Sequence, residues 1–377
     1  MRKRIFLYPW DVAEEGAQKL AQELRSWGVT DVSLALAYHQ ARMLLPHHPR
    51  RRTYLHPSGR VYFPFQADRY GSLRPQYGPL IQAEGEGFLS MVQESFGAEG
   101  IRVSGWVVLL HNSRLASSHP GHAIQTAFGD CSPSNLCPSS PETRCYARQA
   151  LRDIAAAGIR EVHLESLDYG GFLHGDHHEM QAYGDTAELD RLMGLCFCPH
   201  CLGEAQRRGM DGEALRSQVM RAAQAFLDFS PQPPVDQGLW EEYQALRAER
   251  ITGLYRDIRG DCPDMRLLPI LWMAQGADPR AVGVDVRRLE GLVDGAVAAY
   301  PQGPQDVAPF VERVKAQAPG ELPVTYGVRL MAPQTLQRED VYATMRAYRQ
   351  AGVRDMIFYQ YGMAPRPFLE AMGEGEC

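Results

Sequence analysis

One short pattern recurs along the chain and constrains its fold more than any other feature. A helical stretch ends at a glycine, which is followed by a branched apolar residue, two polar residues and a β-rich run. The pattern occurs at residues 28–32, 158–162 and 352–356, and in a shorter form at 100–103. Glycine tolerates the left-handed backbone that ends a helix, and branched residues favour strands. Helices that repeatedly lead into strands through short loops are typical of parallel β/α units.

Extended over the whole chain, this pattern predicts eight strands with helices between them. The strands are expected at 4–9, 31–37, 102–110, 161–166, 265–272, 292–299, 323–329 and 355–360. The helices are expected at 13–27, 78–97, 141–157, 204–228 with 239–258, 282–291, 306–318, 335–351 and 366–372. Eight such pairs predict an α/β fold of the (β/α)8 TIM-barrel type. A doubly wound open sheet is the alternative, but no glycine-rich phosphate loop follows the first strand.

We expect a single barrel domain over residues 1–377 with two insertions. The first, at about 47–76 after strand 2, is predicted to form a hairpin from residues 52–55 and 60–63 around a turn at 56–59. The second, at about 167–260 after strand 4, carries a cysteine cluster and extra helices. Loops that follow barrel strands lie on the catalytic face, so both insertions are expected to shape a substrate pocket.

Charge and hydropathy narrow the class of partner. The net charge is −6, from 39 Lys+Arg against 45 Asp+Glu, and the basic runs are short, which argues against a nucleic-acid binder. No stretch approaches the ~18 apolar residues of a membrane span. We therefore expect a soluble cytoplasmic protein that acts on a small molecule, and the sequence leaves a homo-oligomer open.

Three of the eight cysteines lie within residues 196–201, as Cys196, Cys198 and Cys201. In a reducing compartment such clusters bind metal more often than they form disulfides. Three thiolates lack a fourth ligand for tetrahedral closure. Cys137 is a good candidate, because it lies in the loop after strand 3, with Cys131, Cys145 and His200 as alternatives. The spacing predicts a structural zinc site.

Alternation along strand 4 places an acid in the barrel interior. Val162 and Leu164 suit the helix side, so His163 and Glu165 should point inward, with Glu165 near the carboxyl end. A carboxylate at a barrel mouth is costly unless it is paired or used, which favours a catalytic role for Glu165.

The ends of the other strands supply polar and aromatic side chains that are typical of sugar binding. The predicted substrate-binding residues there are Trp10, His39, His111, Asn112, Trp272, Tyr300, Arg329 and Tyr359. The loop 168–179 adds His174, Asp176 and His177, either for hydroxyl binding or, with His178, for a catalytic metal. Arg329 and the loop histidines indicate an anionic or highly hydroxylated substrate.

Three segments taken together resemble the family 42 β-galactosidases. These are Cys-Pro-Ser-Ser-Pro-Glu-Thr-Arg at 137–144, the acid at 165 and Cys-Phe-Cys-Pro-His-Cys at 196–201. The resemblance covers about residues 130–205 and implies a (β/α)8 glycoside hydrolase. It also implies that Glu165 is the acid/base and that four residues bind structural zinc, namely Cys137, Cys196, Cys198 and Cys201.

The sequence also departs from that family at two catalytic positions. Leu164 stands where the family has an asparagine before its acid/base, and residues 325–331 hold no acid where the family has its nucleophile. We therefore expect a glycoside hydrolase of small carbohydrates with Glu165 as the acid. Candidates for the second carboxylate are Asp168, Asp11 and Asp176, in that order. The alternatives are a metal-dependent barrel isomerase or hydrolase that uses the histidine-rich loop, and a non-catalytic carbohydrate-binding barrel.

Overall fold

A closed ring of eight parallel strands forms the centre of the molecule. The computed structural model of the protein describes residues 1–84, 87–173, 186–272 and 278–374. The strands are β1 (Arg2–Leu7), β2 (Asp31–Tyr38), β3 (Ala41–Leu44), β4 (Thr53–His56), β5 (Arg60–Val61), β6 (Arg102–Val108), β7 (Ala123–Gln125), β8 (Cys131–Leu136), β9 (Glu161–Glu165), β10 (Arg266–Leu271), β11 (Ala296–Ala298), β12 (Val324–Arg329) and β13 (Asp355–Tyr359). The ring runs β1-β2-β6-β9-β10-β11-β12-β13 and closes by pairing of β13 with β1. The predicted (β/α)8 barrel is confirmed.

Helices surround this ring. They are α1 (Pro9–Glu15), α2 (Ala17–Ser26), α3 (Pro79–Glu84), α4 (Phe88–Ala98), α5 (Ser113–Ser118), α6 (Pro141–Ala156), α7 (Thr186–Met193), α8 (Pro199–Arg207), α9 (Gly212–Leu227), α10 (Gln237–Asp261), α11 (Val307–Gln317), α12 (Arg338–Gln350) and α13 (Arg366–Glu374). Among the described residues, none of these helices combines the length and apolar character needed to cross a bilayer.

The glycines of the recurring pattern adopt the backbone that the pattern requires. Gly28, Gly100, Gly158 and Gly352 have φ values of 75°, 70°, 88° and 80°. Each ends a helical stretch in the left-handed region, which L-residues with a side chain rarely adopt. The local signal that predicted the barrel is therefore its actual helix-to-strand joint.

Two sequence predictions of local structure are wrong. The expected helix at 282–291 is replaced by short 3-10 turns at Pro279–Val282 and Val286–Leu289. Gly283 between them is left-handed (φ 82°), and the Asp285 side chain caps the second turn, so a continuous helix cannot form.

The hairpin after β2 pairs different strands from those expected. β4 pairs with β3, in the register Ala41↔His56, and not with β5. β5 instead extends the end of β2 in antiparallel fashion. The predicted turn at 56–59 therefore connects two separate sheets.

The amino-terminal end of the barrel is filled by charged groups. Arg4 is 1% exposed and donates to Asp355 at 2.9 and 3.0 Å and to Glu161. His163, directly above, is buried and forms a 2.6 Å hydrogen bond with Ser33, and burial lowers its pKa to about 3. His163 points inward as predicted, but its role there is to complete a buried polar layer.

Candidate active site and cysteine cluster

Glu165, the last residue of β9, lies at the mouth of the barrel. Its register neighbour is Val108 in β6, and its carbonyl accepts a hydrogen bond from the Leu109 N–H at 3.2 Å. The indole N–H of Trp106 donates to Glu165 Oε2 at 2.6 Å. Trp106 is buried whereas Glu165 is partly exposed, and no described cation forms an ion pair with this acid. A buried donor thus orients the carboxyl group of a residue at the end of a barrel strand.

The environment of Glu165 favours its protonated form. Its pKa is raised from 4.5 to about 7, mainly by burial and further by the negative charge of Asp168, while the hydrogen bond from Trp106 acts in the opposite direction. An acid with this pKa keeps an appreciable fraction of its protons at neutral pH. That is the property that a general acid needs.

Aromatic side chains form one wall of the mouth beside Glu165. The rings of Tyr8, Tyr38 and Tyr359 lie 5.5, 4.8 and 5.9 Å from the Trp106 ring. The Tyr8 and Tyr38 hydroxyls are hydrogen bonded at 2.9 Å, and both interact with the Tyr359 hydroxyl. Ring faces next to hydroxyl groups match the mixed surface of a sugar. Trp106 was missed in the sequence, although the alternation of β6 places it on the inner face.

Tyr300 and Arg329 continue this wall. The Tyr300 ring lies 5.5 Å from that of Tyr359, and the Arg329 guanidinium carbon lies 6.0 Å from the Tyr300 ring centroid. Arg329 ends β12 and is the register neighbour of Tyr359. Its Nε is buried and has no hydrogen-bond partner within the described part of the chain. The structure therefore brings together Tyr300, Tyr359 and Arg329, three of the residues predicted to bind substrate.

Asp168 is the acid that acts on Glu165. It follows β9 by three residues, is partly exposed, and its Oδ1 accepts a hydrogen bond from the Gly170 N–H at 2.7 Å. Its charge raises the pKa of Glu165. This makes Asp168 an electrostatic neighbour of the candidate acid.

Asp11 occupies a separate enclosed position at the start of α1. It is fully buried, and its Oδ2 accepts hydrogen bonds from the Tyr8 N–H and the Gln360 side chain, both at 3.1 Å. Burial raises its pKa to about 8, and the acids that act on it are those of α1. Asp11 is not among the groups that act on Glu165.

The predicted polar residues at the ends of β2 and β6 have different roles. The rings of His39 and His111 stack with centroids 4.8 Å apart and planes within 2°, and His39 also stacks on Tyr38. They extend the aromatic wall. Asn112 instead caps α5, where its Oδ1 accepts a hydrogen bond from the Leu115 N–H at 3.1 Å. Its side-chain oxygen therefore stabilises the start of α5.

The two predicted tryptophans pack against neighbouring side chains. Trp10 is 2% exposed and packs against Tyr8 and the hairpin residues Tyr54 and His56 at 4.4, 4.8 and 5.0 Å. The indole N–H of Trp272 donates to a side chain at the end of α11. His174, Asp176, His177 and His178 lie outside the described residues, so their predicted roles stay predictions.

Four buried thiols converge beside the loop after β9. The sulfurs of Cys137, Cys196, Cys198 and Cys201 all lie within 4.8 Å of one another. Cys137 Sγ is 3.5 Å from two of them and 3.7 Å from the third. A disulfide would need about 2.05 Å, whereas four metal–sulfur bonds of about 2.3 Å place tetrahedral sulfurs about 3.8 Å apart. The cluster therefore fits a tetrahedral metal ion.

The alternative ligands are not part of this cluster. Cys131 and Cys145 are exposed, and His200 stacks on His122 with ring centroids 6.0 Å apart. Among the described residues, the four thiols are the one group whose ligand atoms converge in this way.

Hydrogen bonds link the cluster to neighbouring elements. The Tyr243 hydroxyl donates to the Cys196 carbonyl at 2.6 Å, which attaches α10. The Tyr169 hydroxyl bonds Ser139 at 2.8 Å and lies 4.0 Å from Cys201 Sγ. Because Tyr169 follows Asp168 directly, the loop that carries this acid is anchored beside the thiols.

Fold and site together define a (β/α)8 barrel with an acid at the end of its fourth barrel strand and a four-thiol cluster. The fold is similar to that of α-L-fucosidase isoenzyme 2 from Paenibacillus thiaminolyticus, with a TM-score of 0.57, 13% identity, and coverage of 100% of this chain and 49% of that chain. It is also similar to a β-galactosidase from the psychrophilic Marinomonas ef1, with a TM-score of 0.58, 12% identity, and coverage of 100% and 59%. A third similar structure is Gan42B, a GH42 β-galactosidase, with a TM-score of 0.58, 12% identity, and coverage of 100% and 56%.

These likenesses establish the fold and confirm the expected similarity to the family 42 barrel at that level. The chain spans about half to three fifths of the length of these structures. No protein-family model matches the sequence, and no curated protein matches it.

Proposed function

We propose that the protein is a glycoside hydrolase in which Glu165 is the general acid. The observation that carries the proposal is the position of this residue. It ends the fourth barrel strand, it is partly exposed, its pKa is about 7, and the buried Trp106 holds one of its oxygens. The glycoside hydrolases among the structures of similar fold support the same class of reaction.

In this proposal the protonated carboxyl group of Glu165 donates its proton to the glycosidic oxygen as the bond to the sugar breaks. We assign the role of second carboxylate to Asp168, because it is the acid whose charge acts on Glu165. A carboxyl separation of about 5 Å makes it a nucleophile with retention, and roughly 6.5–9.5 Å admits a water with inversion. NMR of the first-formed sugar anomer distinguishes the two courses.

The experiment is turnover of a panel of aryl glycosides by Glu165→Gln. We expect turnover to fall by about 10²- to 10⁴-fold, because proton transfer to the leaving oxygen is lost. Glu241→Gln on the exposed face of α10 is the matched control and should behave as wild type.

Two results would overturn the assignment. Wild-type turnover by Glu165→Gln would remove the acid role. Sugar binding without hydrolysis of any glycoside, unaffected by the same substitution, would make the protein a non-catalytic carbohydrate-binding barrel, which the lack of an acid at the end of β12 favours as the second candidate.

We also propose that the four thiols bind a structural zinc ion. Zinc prefers four thiolates in a tetrahedral site, and four protein ligands leave no open position for catalysis. The ion would be held by Cys137 from the loop before α6 and by three cysteines around the start of α8. We further propose that the chain is one barrel domain whose long insertion after β9 is attached by this ion.

Elemental analysis and thermal unfolding of Cys198→Ser test the zinc proposal. We expect about one zinc per wild-type chain and loss of both zinc and stability in the variant, because metal binding at a structural site contributes to folding. The exposed Cys145→Ser is the control and should keep both. Stoichiometric zinc in Cys198→Ser would refute the site.

A further inference from the structure

We propose that the sugar bound at the mouth carries a carboxylate, as a uronic acid does, and that Arg329 binds this group. The inference rests on the proposed function for its reaction, but the binding itself stands on the geometry of the mouth.

The position of Arg329 is the first observation. It ends β12 and shares the wall of the mouth with Tyr300 and Tyr359. The charges of Arg329 and Glu165 both act on these two tyrosines. A ligand that lies along the tyrosines would therefore contact the cation at one end and the acid at the other.

The second observation is that the cation has no carboxylate partner in the described part of the chain. Arg329 takes part in no ion pair there, and it is not among the charges that act on Glu165. Its Nε is buried without a hydrogen-bond acceptor. A buried donor on a charged group is costly when it is unpaired, so an acceptor supplied by the ligand is favoured.

The chemistry of the side chain selects the kind of ligand. A guanidinium presents a planar set of donors that matches a carboxylate with two parallel, charge-assisted hydrogen bonds, whereas the hydroxyl oxygens of a neutral sugar accept weaker bonds without a charge. The repulsion that a ligand carboxylate would meet from Glu165 is reduced, because this acid is appreciably protonated at neutral pH. The mouth therefore favours an acidic sugar over its neutral counterpart.

Calorimetric binding of free sugars tests the inference without turnover. The probes are glucuronate and galacturonate, compared with glucose and galactose. We expect wild type to bind a uronate more tightly than the neutral sugar, and Arg329→Gln to weaken uronate binding by about 10- to 150-fold, a larger loss than that for the neutral sugar. The affinity of Arg329→Lys for a uronate should lie between those of wild type and Arg329→Gln, because lysine keeps the charge and lacks the planar set of donors. Arg256→Gln, on the exposed face of α10, is the matched control.

Hydrolysis of aryl uronides and the matching neutral glycosides separates this inference from the proposed function. Glu165-dependent hydrolysis with no preference for uronides would overturn the inference and leave the function standing. Arg329-dependent uronate binding without hydrolysis would support the inference and overturn the proposed function. Equal binding of uronate by wild type and Arg329→Gln, or no uronate binding by wild type, would refute the role of Arg329.

Discussion

Removing the indole donor from Glu165 should move the pKa of this acid upward. In Trp106→Phe the 2.6 Å hydrogen bond to Oε2 is lost while an aromatic ring remains within the tyrosine wall. That bond favours the ionised form, so its loss favours the protonated form.

The size of the pKa shift follows from the free energy of the Trp106–Glu165 hydrogen bond. A hydrogen bond to a charged group is worth about 1.5–3 kcal/mol. One pKa unit corresponds to about 1.36 kcal/mol, so the shift is about 1–2 units. The pKa of about 7 should therefore rise to about 8–9. For a general acid that must be protonated, the alkaline limb of the pH–rate profile moves upward by the same amount.

Two measurements check this shift. The first is the pH profile of kcat/KM for wild type and Trp106→Phe, and the second is an NMR titration of 13C-labelled glutamate, which needs no turnover. Trp240→Phe, a partly buried tryptophan of α10 whose ring contacts an arginine, serves as the control and should leave both unchanged. An alkaline limb that stays in place or moves downward would refute the role of the indole donor.

Three further predictions concern stability, measured by urea unfolding. Burial lowers the pKa of His163 from 6.5 to about 3, so its contribution to the free energy of unfolding is present above pH 6.5 and is lost as the pH falls toward 3. The loss of unfolding free energy between pH 7 and pH 5 should therefore be smaller in His163→Asn than in wild type by about 2 kcal/mol. The same pH dependence in both proteins would contradict this. Arg4→Met should cost about 3 kcal/mol, because it removes a buried cation from the partly buried carboxylates of Asp355 and Glu161. Arg102→Met, at a side chain that is 68% exposed, should cost at most about 1 kcal/mol, and equal losses would refute the distinction. Gly327→Ala should cost about 3 kcal/mol or more, because its Cβ would lie 1.8 Å from the carbonyl oxygen of Ala299, the residue after β11. Gly97→Ala, in an open helical position, should be neutral or stabilising.

The parts of the fold that local chemistry determines could be predicted from the sequence. The eight barrel strands could be predicted because four helix-to-strand joints share a glycine and a branched residue, and the same order of elements extends over the rest of the chain. The cluster of four cysteines could be predicted because three lie within six residues, Cys137 lies in the loop after strand 3, and the resemblance implies the same four residues. The pairing of β4 with β3 was not found, because two short strands can each satisfy their alternation with several partners.

Contacts between strands were the part of the site that the sequence left open. The Trp106–Glu165 hydrogen bond joins two residues that are 59 positions apart in the chain, and it depends on the register of β6 against β9. Asn112 and Trp272 stand at strand ends as expected, yet the side chain of the first caps a helix and that of the second turns toward α11. Position at a strand end therefore does not by itself determine where a side chain points.

The contact between the thiols and Tyr169 has a consequence for the order in which parts of the protein would unfold. Tyr169 is held through Ser139 beside the sulfurs, and Asp168 precedes it in the chain. Chelators or oxidants that disrupt the cysteine cluster should therefore loosen the loop that carries Asp168 while the eight-stranded barrel stays folded. Under the proposed function, loss of the ion would therefore lower hydrolysis before the barrel unfolds.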